Sequence, residues 1–165
     1  MYTQLKEKFE NQFGHKASFV FSAPGRTELG GNHTDHQHGK VLAAAVNREA
    51  LAAVALNGTN TVNLLSEGYP ICHIDLTDLT VHPEEVGKTP SLIRGVASQF
   101  AAYGLPGFDA YVTSNVLSGS GLSSSAAFEV LMGVTMGSAG SAKSMPMMLP
   151  TLEAVWSIRP QGLPK

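Results

Sequence analysis

Apolar side chains recur along this chain with two periods, and the switches between them divide it into elements. Leu5, Phe9 and Phe13 stand at helical spacing among charged residues, with Gly14 directly after them. That pattern predicts an amphipathic opening helix with a glycine stop. Residues 18–22 read as a short strand. Residues 23–39, APGRTELGGNHTDHQHG, combine four glycines and a proline with polar side chains and predict a long structured loop. Strands are expected at 41–46, 50–56, 62–66 and 72–76, the last from alternation of Cys72, Ile74 and Leu76 with His73 and Asp75. Asn57 and Gly58 mark a turn.

Pro90 and Ser91 introduce a second helix with a stripe of Leu92, Ile93, Val96, Ala97 and Phe100, ended by Gly104 and Pro106. Phe108, Ala110 and Val112 then alternate as a strand. After it SGSGLSSSAAFEV passes from a Gly/Ser turn into helical spacing at Ala127, Val130, Leu131 and Val134. From Gly137 the composition becomes that of a linker followed by Pro- and Met-rich sequence, so residues 137–165 are expected to be an irregular tail.

Composition narrows the function classes. With 43% hydrophobic and 15% charged residues, a chain of 165 residues has material for a core. A net charge of -2 with scattered Lys and Arg lacks the basic stripe of a nucleic-acid binder, so a small-molecule partner is expected. Lys6, Glu7, Lys8 and Glu10 interrupt the apolar start, unlike a secretory signal. The longest apolar runs are too short to span a bilayer. Cys72 has no cysteine to pair with. The expectation is a soluble cytoplasmic protein that touches neither membrane nor nucleic acid.

Two segments can carry chemistry. In the stretch around Ser118–Ser125, small residues let the backbone approach a ligand, and the following helix start supplies unpaired N–H groups and its positive end. This is a phosphate cradle or, equally in form, a turn capped by serine. It has neither the spacing nor the lysine of a Walker loop, and the Rossmann fingerprint fails too. In residues 23–39, Arg26, Glu28, His33, Asp35, His36 and His38 can converge on a small polar ligand or line a solvated loop. HTDHQH also admits a metal-binding reading, although no second ligand cluster accompanies it.

The two motifs together resemble those of galactokinases, within the GHMP kinase family: PGRTELGGNHTDHQHG resembles the galactokinase signature and SGSGLSSSAAFEV the family ATP loop. The resemblance runs from about residue 19 to about 136 and includes LIRGV between them. It implies an α+β fold, with an amino-terminal domain of the ribosomal-protein-S5 type over residues 1–136 and a carboxy-terminal ferredoxin-like domain that this sequence does not include.

By resemblance, Asn32, His33, Thr34 and Asp35 hold the sugar, with Asp35 accepting bonds from its hydroxyls. Family members usually carry Glu where Asn32 stands, so the charge offered to the sugar differs. Arg26 matches the arginine that stabilises the transferring phosphoryl group. Gly119, Ser120, Gly121, Leu122, Ser123, Ser124 and Ser125 match the segment that wraps the ATP phosphates, and Ser125 the serine that helps hold Mg2+. The implied reaction moves the γ-phosphoryl group of ATP to the anomeric hydroxyl of galactose. The family's catalytic aspartate, in a G-L-x-D-Q-like stretch, has no counterpart in this sequence. Alternatives are a non-catalytic galactose or ATP sensor and a histidine-loop metal module. A domain lacking its second half is also expected to expose an association-prone apolar surface.

Overall fold

The fold follows from which apolar faces the chain has to cover. The computed structural model describes residues 2–31, 40, 42–117 and 119–141. Helix α1 (Tyr2–Phe13) buries Leu5 and Phe9 and stops at Gly14, whose φ of 76° is left-handed and whose N–H bonds the Glu10 carbonyl at 2.8 Å. Strands β1 (Phe19–Gly30), β2 (Leu42–Leu56), β3 (Thr61–Ser66), β4 (Cys72–Asp75) and β5 (Phe108–Ser114) form one sheet in the order β1-β2-β5-β3-β4. All neighbours are antiparallel except β3 and β5, which are parallel. That parallel pair needs a crossover, which helix α2 (Thr89–Phe100) provides.

Strand β2 lies inside the sheet, between β1 and β5, and over residues 50–55 is apolar on both faces. Leu51, Ala53 and Ala55 pack with Leu5 and Phe9 under α1, while Ala50, Ala52 and Val54 join the larger core beneath α2 and α3 (Ser124–Ser141). Ile93, Val96, Ala97 and Phe100 of α2, with Leu131, Met132 and Met136 of α3, close that second face. Helix α3 continues through Gly137 to Ser141, although the composition there predicts irregular chain. Gly137 faces the Phe100 ring, and Ala139 and Gly140 are buried, so the small residues let this turn lie close to its neighbours.

Two expectations about strands are corrected. Residues 41–46 and 50–56 belong to one strand, because Asn47, Arg48 and Glu49 continue the extended chain between them. The expected loop at 23–39 is strand as far as Gly30, paired with β2 through register shifts at Pro24/Arg26 and Glu28/Gly30. Cover is partial here: residues 42–45 opposite it are exposed, Gly25 is buried, Arg26, Thr27 and Glu28 are half-buried, and Leu29 and Gly30 are exposed. Pro24 is tolerated because β1 is an edge strand.

A polar network holds the far end of β5. Asp109, 6% exposed, accepts from Asn57 Nδ2 at 2.9 Å and Asn63 Nδ2 at 2.7 Å, and its other oxygen lies 2.8 Å from His15 Nε2. Burial pushes its carboxyl up, but the three partners together hold it below the ordinary value. Arg94, on α2, makes a two-pronged contact to Glu85 in the segment before the helix, Nε to Oε2 at 3.0 Å and Nη2 to Oε1 at 2.8 Å, and its Nη1 donates to the Asp78 carbonyl. These contacts fasten the connection from β4 to the helix.

Candidate functional site

The Gly/Ser segment and the β1 segment meet at one end of the sheet. The chain leaves β5 held by Asn115, whose N–H bonds the Glu49 carbonyl at 3.1 Å while its Oδ1 accepts from Glu49 N at 2.6 Å. The Ser114 hydroxyl then accepts from Val116 N at 3.1 Å. Further on, Arg26 N donates to the Leu122 carbonyl at 3.2 Å. Gly25 makes that approach possible: a Cβ there would lie 3.1 Å from Leu122 O and 3.1 Å from Val116 Cγ1. Two segments nearly a hundred residues apart in sequence are therefore joined by backbone, with a glycine at the crossing.

The loop itself has an unusual backbone. Gly119, Gly121 and Ser123 have φ of 74°, 76° and 58°, while Ser120 and Leu122 between them keep negative φ. Such alternation gathers successive N–H groups into a concavity suited to anions. At Gly119 and Gly121 an added Cβ would meet nothing within 4 Å, so glycine serves conformation there and not space. Ser123 is the one non-glycine residue with positive φ among the described residues, a strain of about 1–2 kcal/mol. Ser120 Oγ donates to the Leu117 carbonyl at 2.6 Å and shapes the turn.

Helix α3 begins directly beyond. Ala127 N bonds the Ser123 carbonyl at 2.9 Å, the first bond of the helix, so the N–H groups of the turn before it have no acceptor within the helix. The exposed Ser125 lies on the first turn, and Glu129 follows four residues later on the same face. Burial holds the Glu129 carboxyl above its ordinary value. A hydroxyl and a carboxylate so placed are oxygen donors of the kind Mg2+ takes, with phosphate and water completing its shell.

Arg26 sits on β1 just past the bulge, and its Nη2 donates to Glu28 Oε1 at 2.7 Å. The structure thus joins the backbone of Arg26 to the loop at Leu122; Gly119, Ser120, Gly121, Ser123, Ser124 and Ser125 lie along the same loop and the first turn of α3. Asn32, His33, Thr34 and Asp35 lie outside the described residues, as do His36 and His38, so the metal reading of HTDHQH falls there as well. Among the described residues no group of three or more His, Cys, Asp or Glu is arranged to hold a metal, and no helix is long and apolar enough to cross a membrane. Sequence reasoning passed over the close approach at Gly25 and the pairing of Glu28 with Arg26. A glycine after a proline and a Glu two residues from an Arg are too common to signal either.

Both segments fall within stretches similar to known proteins. Residues 7–56 match the galactokinase galactose-binding signature, and residues 91–148 match the GHMP kinases N terminal domain, reaching beyond the composition change at 137. The galactokinase of Lacticaseibacillus casei strain BL23 is 34% identical over 140 residues, 82% of this chain and 36% of that protein. Among solved structures, Lactococcus lactis galactokinase complexed with galactose superposes with a TM-score of 0.77 at 28% identity, covering 92% of this chain and 40% of that one. The Methanococcus jannaschii mevalonate kinase shares the fold, with a TM-score of 0.65 at 14% identity over 85% of this chain and 46% of that one. The chain spans about a third of the length of the curated relatives it matches.

Proposed function

Because this chain belongs to the galactokinases of the GHMP kinase family, we propose that it forms the ATP- and sugar-gathering part of a cytoplasmic sugar kinase. The observation that carries the reading is the crossing at Gly25, which sets the anion-binding loop beside the strand that bears Arg26. In this reading residues 119–125 hold the triphosphate through backbone N–H groups and the start of α3. Ser125 and Glu129 hold Mg2+, which when bound offsets phosphate charge. Arg26 is the fixed cation beside the transferring phosphoryl group. Asn32, His33, Thr34 and Asp35 bind galactose or a related sugar.

The bond formed joins the γ-phosphorus to the anomeric oxygen, the bond broken releases ADP, and the hydroxyl proton passes to a base. No residue of this chain is assigned as that base. Its contribution is therefore binding, orientation and charge stabilisation.

The test is calorimetric titration of the 165-residue chain with galactose and with a non-hydrolysable ATP analogue plus Mg2+, followed by an ATP turnover assay. Binding of both ligands supports the proposal. Binding without turnover limits the chain to the sensor-like half of the reaction, and failure to bind the nucleotide overturns the reading.

A further inference from the structure

Glu28 has one carboxylate oxygen in a hydrogen bond and one without. Its Oε1 accepts from Arg26 Nη2 at 2.7 Å, but its Oε2 is shut off from solvent and has no hydrogen-bond partner. A buried carboxylate oxygen without a donor is costly, and native structures seldom leave one without a reason. The pair is half-buried on β1, with Arg26 opposite Ala45 and Glu28 opposite Ala43. Directly opposed residues share a face of the sheet, so the methyl groups of Ala43 and Ala45 face the Arg26–Glu28 pair. The backbone of Arg26 also touches the anion-binding loop through Leu122.

We propose that Glu28 is a substrate-binding residue that sets specificity, its Oε2 accepting a hydrogen bond from a ring hydroxyl of the phosphoryl acceptor. The inference rests on the sugar-kinase reading above and adds to it a contact outside the 32–35 segment. A carboxylate suits a polyol because it accepts without donating, and the charge-assisted bond is short and strong. Oε1 meanwhile holds the Arg26 guanidinium in one orientation, so one side chain orients the cation and reads the sugar. The pairing also disfavours acceptors that present an oxygen without a proton at this position, since two acceptors would then face each other.

The test is a cycle between Glu28→Gln and a panel of monodeoxy galactoses, measured by calorimetry on the full chain beside the ATP-analogue titration and a thermal melt. Gln keeps the contour and can still accept from Arg26, but turns Oε2 into a donor. The expected result is a loss of galactose affinity of about ten- to a hundredfold with nucleotide affinity unchanged and no fall in melting temperature. One deoxy sugar should bind the parent weakly yet lose nothing further in the variant, which identifies the hydroxyl. Glu28→Asp, carried through the same cycle, covers the case in which Gln prevents folding.

Equal galactose affinity in parent and variant overturns the inference while leaving the kinase reading intact. A parallel fall in both affinities and in melting temperature makes Glu28 a structural residue and also overturns it. A parent chain that binds neither ligand removes the kinase reading, and this inference with it.

Discussion

At Gly25 one methyl group is enough to disturb the meeting of the two signature segments. A Cβ there would be held 3.1 Å from a backbone oxygen of residue 122 and 3.1 to 3.3 Å from both methyls of Val116, and the oxygen cannot rotate away. Gly25→Ala is expected to destabilise the chain by about 1–3 kcal/mol and to weaken ATP-analogue binding by displacing the loop. Gly119→Ala gives the contrasting case: there is open space, so its cost is the left-handed φ alone, about 1–2 kcal/mol. Melts and titrations of the two variants separate crowding from strain. Equal nucleotide affinity in Gly25→Ala and the parent would show that the crossing does not position the loop.

Two of the shifted carboxyls, Glu129 and Asp109, give opposite dependences on pH. Glu129 holds its proton more tightly folded than unfolded, so its contribution to stability is present below about 4.5, the ordinary value, and is lost as pH rises through the raised folded value. Glu129→Gln is therefore expected to melt higher than the parent at pH 7, with the difference closing toward pH 4.5, and to weaken Mg2+-dependent nucleotide binding. Asp109 behaves in the reverse sense. Its contribution is present above 3.8 and is lost as pH falls through its lowered folded value, so Asp109→Asn should remove part of the acid-side loss of stability. Thermal melts between pH 3 and 8 read both effects.

At the scale of elements, the crossover between β4 and β5 depends on one buried ion pair. Arg94 is 8% exposed and grips Glu85 with both prongs of its guanidinium, while a third contact ties it to the carbonyl of residue 78. Removing one partner leaves the other charge buried, so Arg94→Ala is expected to cost about 3 kcal/mol, measured by chemical denaturation. The double replacement Arg94→Met with Glu85→Leu should recover much of that loss, because the desolvated charges leave together. A double variant no more stable than the single one would show that the carbonyl contact, not the pair, holds the crossover.

The same scale shows what the sequence makes legible. Elements buried on one face by a clear period are readable from it: α1 from Leu5 and Phe9, α2 from Ile93, Val96, Ala97 and Phe100, and β5 from Phe108, Ala110 and Val112. Strand β1 beyond Pro24 is not, because the residues it buries or half-buries there are Gly25, Arg26, Thr27 and Glu28, which present no periodic apolar side. Of the site, the Gly/Ser loop and Arg26 are visible as motifs. The bond from Arg26 N to Leu122 O and the state of Glu28 Oε2 arise only from tertiary approach.

For the whole molecule, the hairpin built from the end of β1 and the start of β2 decides how the chain behaves in solution. Leu29 is 66% exposed and Leu42 63% exposed, at neighbouring positions of that hairpin, and the alanines at 43, 44 and 45 are exposed beside them. Isolated leucines at a surface are ordinary, but Leu29 and Leu42 at neighbouring positions, with Ala44 on the same face of β2 as Leu42, make an apolar patch. The core beneath the helices does not offset this, since it involves the other end of β2. The 165-residue chain is therefore expected to associate reversibly as its concentration rises. Burying two leucines contributes roughly 3–6 kcal/mol, so Leu29→Lys with Leu42→Lys should weaken association by about a hundredfold or more. Light scattering across a concentration series measures this on both proteins. Because the substitutions lie on the exposed hairpin and not in either core, the melting temperature should hold, which separates loss of association from loss of fold. A parent chain that stays monomeric at every concentration would mean that this face is too small, or too mobile, to bind a second copy.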